Sequence, residues 1–471
     1  MNGRRLRWLA PALLTLLLAS LAHGQTRPKN VIIMISDGCG FNQIDAAGLW
    51  ANGALDKEVY RQTGWTRLAM STYSADGTGY DPAKFWADAD YPKKDSTDSA
   101  AAATAMATGV KTYNGAIGVG LDKQPLENLC QAAKRLGKRA GVITSVPLSH
   151  ATPAGFLAHN SGRGSYAEIA TEMVTVSAAD VVMGAGHPDF DDNGQKRAKP
   201  DYQYVGGEKT WAQAKAGEAG ADADGDGKAD PFTLIEDRAQ FEDLASGKLK
   251  LNRVLGVAQV GSTLQEGRGK GRERNANVPT LGVMASGALN VLSTDPDGFF
   301  LMIEGGAIDW AGHSNLLDRS VEEETEFNHA VEAVVKWVEA HGGWEQNLVI
   351  VTGDHETGYL CAPKGDAKDA KPNAGTRLTG NGQGKLPNAE WNYKSHTNSL
   401  IPYAVRGVGA DRLAQMAVLT DPVRGRYLDN TDMPRVIREL WGLGKAEPAG
   451  LKPPAVKAKD KPKEDASKAK D

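Results

Sequence analysis

Met34-Ile-Ser-Asp37-Gly38, Ile303-Glu304-Gly-Gly-Ala-Ile-Asp309-Trp-Ala-Gly-His313 and Val351-Thr-Gly-Asp354-His355-Glu356 follow one plan. In each, an apolar run rich in Val and Ile stops at a carboxylate, and small residues then let the backbone turn. An open α/β sheet places its chemistry this way, in the crevice at the carboxyl ends of its strands. Three such segments carrying acids and imidazoles together point to a polynuclear metal site that does catalysis.

Working outward, Asn30 to Ser36, Arg139 to Ser145, Phe299 to Ile303 and Asn347 to Thr352 read as buried strands, because their apolar runs are continuous rather than alternating. Helical stretches lie between them. The clearest begins near Asp318, a candidate N-cap, and sets Phe327, Val331, Val334, Val335 and Val338 on one stripe before stopping at Gly342-Gly343. Continuous strands alternating with helices predict an α/β fold, a mostly parallel central sheet with helices on both faces.

With 471 residues the chain can bury a large core, and a net charge of −4 spread over both signs offers no nucleic-acid surface. Basic Met1 to Arg7, apolar Trp8 to Ala22 and the small residues Ala22-His23-Gly24 read as a secretory signal peptide over 1–24. The apolar run is too short for a spanning helix, which leaves no membrane span after cleavage and predicts a secreted or periplasmic protein. The catalytic domain is expected over 25–445, with Gly- and Asp-rich insertions near 188–260 and 362–394. A Lys- and Pro-rich tail, expected to be disordered, fills 446–471. Three cysteines, Cys39, Cys130 and Cys361, are too few for a disulfide scaffold. Cys39, two residues from Asp37, reads as a small packed residue rather than a ligand.

Asp98-Ser99-Ala-Ala-Ala-Ala-Thr-Ala-Met-Ala-Thr-Gly109 is an Ala-rich helix that Asp98 or Ser99 would cap. A Ser there is ordinarily a simple N-terminal turn residue. It also faces the positive end of the helix dipole, which favours an alkoxide or a bound phosphate. No G-x-S-x-G elbow surrounds Ser99, so its activator would have to be a metal.

These motifs resemble the alkaline phosphatases, the secreted binuclear-zinc phosphomonoesterases with an added magnesium site. The resemblance runs in order through Ser36-Asp37-Gly38, Thr97-Asp98-Ser99-Ala-Ala-Ala-Ala-Thr-Ala and Val110-Lys-Thr-Tyr-Asn-Gly-Ala-Ile-Gly118. It continues through His150-Ala-Thr152-Pro-Ala, Arg163, Glu304-Gly-Gly-Ala-Ile-Asp309, His313, Asp354-His355 and Ser395-His396-Thr. It implies hydrolysis of phosphate monoesters through a phosphoserine at Ser99, with Arg163 gripping phosphate as a fork. It implies one Zn2+ on Asp309, His313 and His396, and a second on Asp37, Asp354 and His355. It also implies one Mg2+ or another divalent ion on Asp37, Thr152 and Glu304. A homodimer is a further implication, since family members often pair.

Ligand chemistry agrees: mixed carboxylate and imidazole sets suit zinc, and oxygen-only sets suit magnesium. Asp309 and His313, four apart, would share an ion on a helical turn. Asp354 and His355 would share one only where their strand has ended. At two positions near the third metal the family varies, and this chain carries His150 and Trp310. Loss of a carboxylate and an ammonium there predicts weaker magnesium and weaker product retention, unless both residues merely pack.

Asp222-Ala-Asp224-Gly-Asp226-Gly227-Lys-Ala-Asp230 has the early spacing of a Ca2+ loop, but Thr233 stands where the bidentate Glu belongs. A solvated Gly-Asp turn is the competing reading. Sulfatase chemistry is excluded by the lack of a C-x-P-x-R stretch. A phosphodiesterase remains open, as does a metal-binding surface protein that has lost catalysis.

Overall fold

The protein is described by a computed structural model covering residues 27–364 and 371–445. The expected signal peptide and tail lie outside the described residues, as does part of the 362–394 segment.

Eleven strands form one sheet in the order Leu419–Asp421, Gly425–Asp429, Thr66–Ser71, Ile401–Gly407, Asn347–Thr352, Asn30–Ser36, Phe299–Gly305, Arg139–Pro147, Val181–Ala185, Val254–Val257, Thr233–Ile235. The seven from Asn347–Thr352 to Thr233–Ile235 are all parallel, while Ile401–Gly407 runs against both of its neighbours. The central strand explains the continuous apolar runs. Val31, Ile33 and Ile35 enter the core on one face of the sheet, and Ile32 and Met34 enter the core on the other. Both faces are dry, so Val31 to Ile35 carry no polar side chain on either face, and the polar residues Asn30 and Ser36 stand only at the strand's ends.

The four strands expected from sequence are neighbours in this sheet, and two run further than expected, to Pro147 and Gly305. Register pairs Ser36 with Gly305 and Ile35 with Thr352. The loops after these strands therefore emerge side by side at one edge.

The long helix is Leu317–Ala340, and all five stripe residues are buried. Its N-cap is Leu316, not Asp318, which sits inside the first turn without capping it. In the expected insertion over 188–260, Thr233–Ile235 and Val254–Val257 complete the sheet's outer edge. Cys39, Cys130 and Cys361 are all buried free thiols.

Candidate active site

The loop after Asn30–Ser36 carries Asp37. Its amide donates to Gly305 O (3.0 Å), and the Gly38 amide donates to Asp354 Oδ1 (3.1 Å). Gly38 has φ +72°, and a Cβ there would lie 2.6 Å from Asp309 Cα, so only glycine fits this close approach. The helix Ala307–His313 follows the Phe299–Gly305 strand and sets Asp309 and His313 on one turn. Asp354 and His355 lie just past the end of Asn347–Thr352, so the strand alternation no longer separates them. His396 arrives on the two-residue strand His396–Thr397, paired with Glu356–Thr357.

Two three-ligand groups result, Asp309 with His313 and His396, and Asp37 with Asp354 and His355. In the first, His313 Nε2 and His396 Nε2 approach to 3.0 Å and lie 3.5 and 3.4 Å from Asp309 Oδ1. His313 Nδ1 contacts Lys394 O (2.7 Å) and His396 Nδ1 contacts Thr97 O (2.9 Å). A carbonyl partner requires the proton on Nδ1, which turns both Nε2 lone pairs toward one point. Facing lone pairs at this distance repel unless a cation or proton lies among them. In the second group, His355 Nε2 lies 3.3 Å from Asp354 Oδ2, 3.5 Å from Asp37 Oδ1 and 3.2 Å from Ser99 Oγ.

A third group joins Asp37, Glu304 and His150. Glu304 Oε2 accepts the Thr144 hydroxyl, a neighbour fixed by the pairing of Thr144 with Glu304 across adjacent strands. Glu304 Oε1, Thr152 Oγ1, His150 Nδ1, both Asp37 oxygens and Asp354 Oδ2 are buried without hydrogen-bond partners. Buried polar atoms are almost always paired, so six orphans in one place mark a site built for cations.

Protonation follows the same stress. Burial, then the charges of Asp354, Asp309 and Glu304, push the Asp37 carboxyl far above its ordinary range. Burial lifts Glu304 to about 7 and Asp354 to about 6. Burial works against the charge on His396, but its contact with Asp309 overrides this and raises it to about 9. Burial, then the His396 charge, depress His355. Carboxylates that resist ionising together, and one imidazole, His396, that takes up a proton beside Asp309, are what divalent cations relieve.

Ser99 opens the helix Ser99–Thr108, fully buried, and Asp98 is its N-cap through Ala101 N (2.9 Å). Asp98 Oδ2 also accepts from Arg163 Nη1 (2.9 Å). His150 stacks on Tyr166 (13° between rings) and meets Trp310 edge-on at 5.7 Å. Burial, then the Arg163 charge, lower His150 to about 3, so its imidazole is neutral.

The family model for alkaline phosphatases matches residues 28–377. The chain belongs to the alkaline phosphatase family. Metal-dependent phosphomonoester hydrolysis is the activity on which family and site chemistry agree. The chain is 31% identical to alkaline phosphatase H of Pseudomonas aeruginosa over 84% of its length and 83% of that protein's. It is 32% identical to alkaline phosphatase 3 of Bacillus subtilis over 71% of its length, but spans only 62% of that protein. Among solved structures, alkaline phosphatase from the Antarctic bacterium TAB5 superposes with TM-score 0.61 at 25% identity, covering 88% of this chain and 98% of that one. A variant of that enzyme (TM-score 0.59, 25% identity, 89% of this chain and 99% of that one) has Mg bound in its M3 site.

Sequence reasoning missed the outer contacts of this family site. The Thr144 hydroxyl lies outside every motif, the Lys394 carbonyl and the Thr357 hydroxyl that donates to Asp309 Oδ1 lie just beyond motif ends, and the Thr97 carbonyl is a backbone group that residue type does not reveal. The Asp-rich loop brings together Asp222, Asp224 and Asp230 but not Asp226. Its carboxylates accept loop amides, Gly225 and Gly227 on Asp222, Asp226 on Asp224 and Ala223 on Asp230. The loop is thus closed by its own backbone. Cys39 is buried, burial raises its thiol, and its Sγ contacts Gly40 O, as expected of a packed residue.

Proposed function

We propose that this chain hydrolyses phosphate monoesters with Ser99 as nucleophile, outside the cytoplasm, using two zinc ions and one magnesium or similar ion. Asp309, His313 and His396 would hold one zinc, and Asp37, Asp354 and His355 the other. Asp37, Glu304 and Thr152, with His150 beside them, would hold the third ion. Bound there, the ions would supply Lewis-acid stabilisation of attacking and leaving oxygens.

The chain's own residues do the rest. Arg163, aimed by Asp98, grips two phosphate oxygens as a planar fork. Ser99 Oγ forms a bond to phosphorus as the ester oxygen leaves with its alcohol. Water then cleaves the Ser99–phosphate bond, which frees inorganic phosphate and restores the hydroxyl. The helix N-terminus under Ser99 favours the anionic forms along this path. What supports the reading above all is the set of orphaned buried oxygens and facing imidazole nitrogens, with His355 Nε2 at 3.2 Å from Ser99 Oγ.

Among the described residues no helix is long and apolar enough to cross a membrane. Export and assembly as a homodimer belong to the same proposal, and N-terminal sequencing with solution mass decides them. The central test is metal content together with rates on an aryl phosphate monoester and an aryl phosphodiester, before and after chelation. Zinc near two per chain and a monoester rate that vanishes on chelation support the proposal. A faster diester, or turnover without metal, ends it.

A further inference from the structure

One buried acid lies behind the metal loops and takes no part in the chemistry above. Glu324 sits on the helix Leu317–Ala340, one turn before Phe327, on the stripe where every helical period calls for an apolar side chain. It is fully buried, with 0% exposure. A carboxyl in such a place costs stability unless its oxygens are satisfied, and a residue that breaks the local pattern marks a functional constraint.

Its partners are specific. Glu324 Oε2 accepts the Ser36 hydroxyl at 2.6 Å, across 288 positions of sequence. Oε1 lies 3.3 Å from Tyr60 OH, which donates to Asn328 Oδ1 at 2.8 Å. Ser36 is the last residue of the central strand and precedes Asp37, among the described residues the one carboxylate shared by two candidate ligand groups. From Ser36 the chain turns tightly, with the Cys39 amide on Ser36 O at 3.2 Å and no room at Gly38. Any tilt of Ser36 is passed directly to Asp37. Behind this turn lies a cavity of about 370 Å³, lined in part by Ser36, Cys39, Tyr60 and Glu324. Cys39 belongs to the packed cluster that also holds Ile44, Tyr60 and Phe327, and beside the cavity the Ser36–Glu324 bond is the polar tie that joins the turn to the long helix.

We propose that Glu324 is a positioning residue: through Ser36 it fixes the turn that aims Asp37 at both metal groups. The inference rests on Asp37 being a metal ligand, as the proposed function holds. Outer partners of metal ligands are worth about 10- to 100-fold in metal affinity.

The test measures zinc dissociation constants of the full chain by chelator competition, alongside the melting temperature of the metal-free protein. Glu324→Leu and Ser36→Ala are expected to weaken zinc binding by about 10-fold or more. Glu324→Gln, whose carbonyl still accepts the Ser36 hydroxyl, is expected to stay within about threefold of the parent. A merely structural Glu324 would lower the melting temperature and leave zinc affinity untouched, and that result overturns the proposal. Equal losses in Glu324→Gln and Glu324→Leu overturn it too. If Glu324→Leu does not fold, Ser36→Ala decides alone, and parental affinity there is fatal. Asp37→Asn separates the two levels: parental zinc affinity in that variant removes the site reading itself, whereas a loss there with an unaffected Ser36→Ala removes only the role of Glu324.

Discussion

Asp98 holds Arg163 with the same carboxylate that caps the helix opened by Ser99: Oδ2 accepts from Arg163 Nη1 at 2.9 Å while Oδ1 accepts from Ala101 N at 2.9 Å. The proposed phosphate grip of Arg163 and the placement of Ser99 are thus tied to one side chain. Arg163→Ala is expected to weaken competitive inhibition by inorganic phosphate about 100-fold, and Arg163→Lys about 10-fold, because only the guanidinium binds two oxygens at once. Asp98→Ala should also cost about 1 kcal/mol of stability through the lost cap, read from chemical denaturation.

Ser99→Ala should lower kcat by at least about a thousandfold while leaving zinc content unchanged. Metal analysis and single-turnover kinetics check both halves. Full turnover in the variant would dismiss Ser99 as nucleophile.

Metal loading should release protons in a pH-dependent way. Without cations, burial keeps Asp354 protonated up to about 6 and Glu304 up to about 7, and contact with Asp309 keeps His396 charged up to about 9. Bound ligands must shed these protons. Calorimetry in two buffers of different ionisation heat should therefore find more protons released near pH 6 than near pH 9.5, and equal release at both would contradict the assignment.

His150→Asp should tighten magnesium by about 10-fold or more, since it sets a third hard carboxylate beside Glu304 and Asp37 where a neutral imidazole now stands. Magnesium titration of the zinc-loaded protein reads this directly. Unchanged affinity would mean that His150 only packs against Tyr166 and Trp310.

Glu323 is a second buried acid on the long helix, with Oε1 unpartnered. Burial, then the Glu322 charge, lift it from 4.5 to about 8. Between those values the folded protein holds a proton that the unfolded chain has released, so stability falls as pH rises through the window. Glu323→Gln should remove that dependence. Measured on metal-free protein, its stability relative to the parent should improve by a few kcal/mol between pH 5 and pH 9. A constant difference across that range would count against a raised Glu323.

Most of the fold was legible because the central strands are buried on both faces. Val31 to Ile35 must be apolar at every position, and such runs stand out in one dimension. The helix start was misjudged because Asp318 has cap chemistry without cap geometry, and Leu316 took the position. The outer edge strands Thr233–Ile235 and Val254–Val257 were absorbed into an expected insertion because their segments are short and lie among Gly- and Asp-rich turns.

By itself, the chain's order of residues determined which side chains carry metal-binding chemistry, since carboxylates and imidazoles at strand ends announce themselves by type and spacing. Only the tertiary structure decided how they are aimed. The register of Ser36 with Gly305 and of Ile35 with Thr352 brings three loops to one edge, and the contacts from Thr144, Thr97, Lys394 and Glu324 orient them. The physical reason is that a hydrogen bond joining residues hundreds of positions apart leaves no periodicity, spacing or composition behind it. It exists only once the sheet has set both ends side by side.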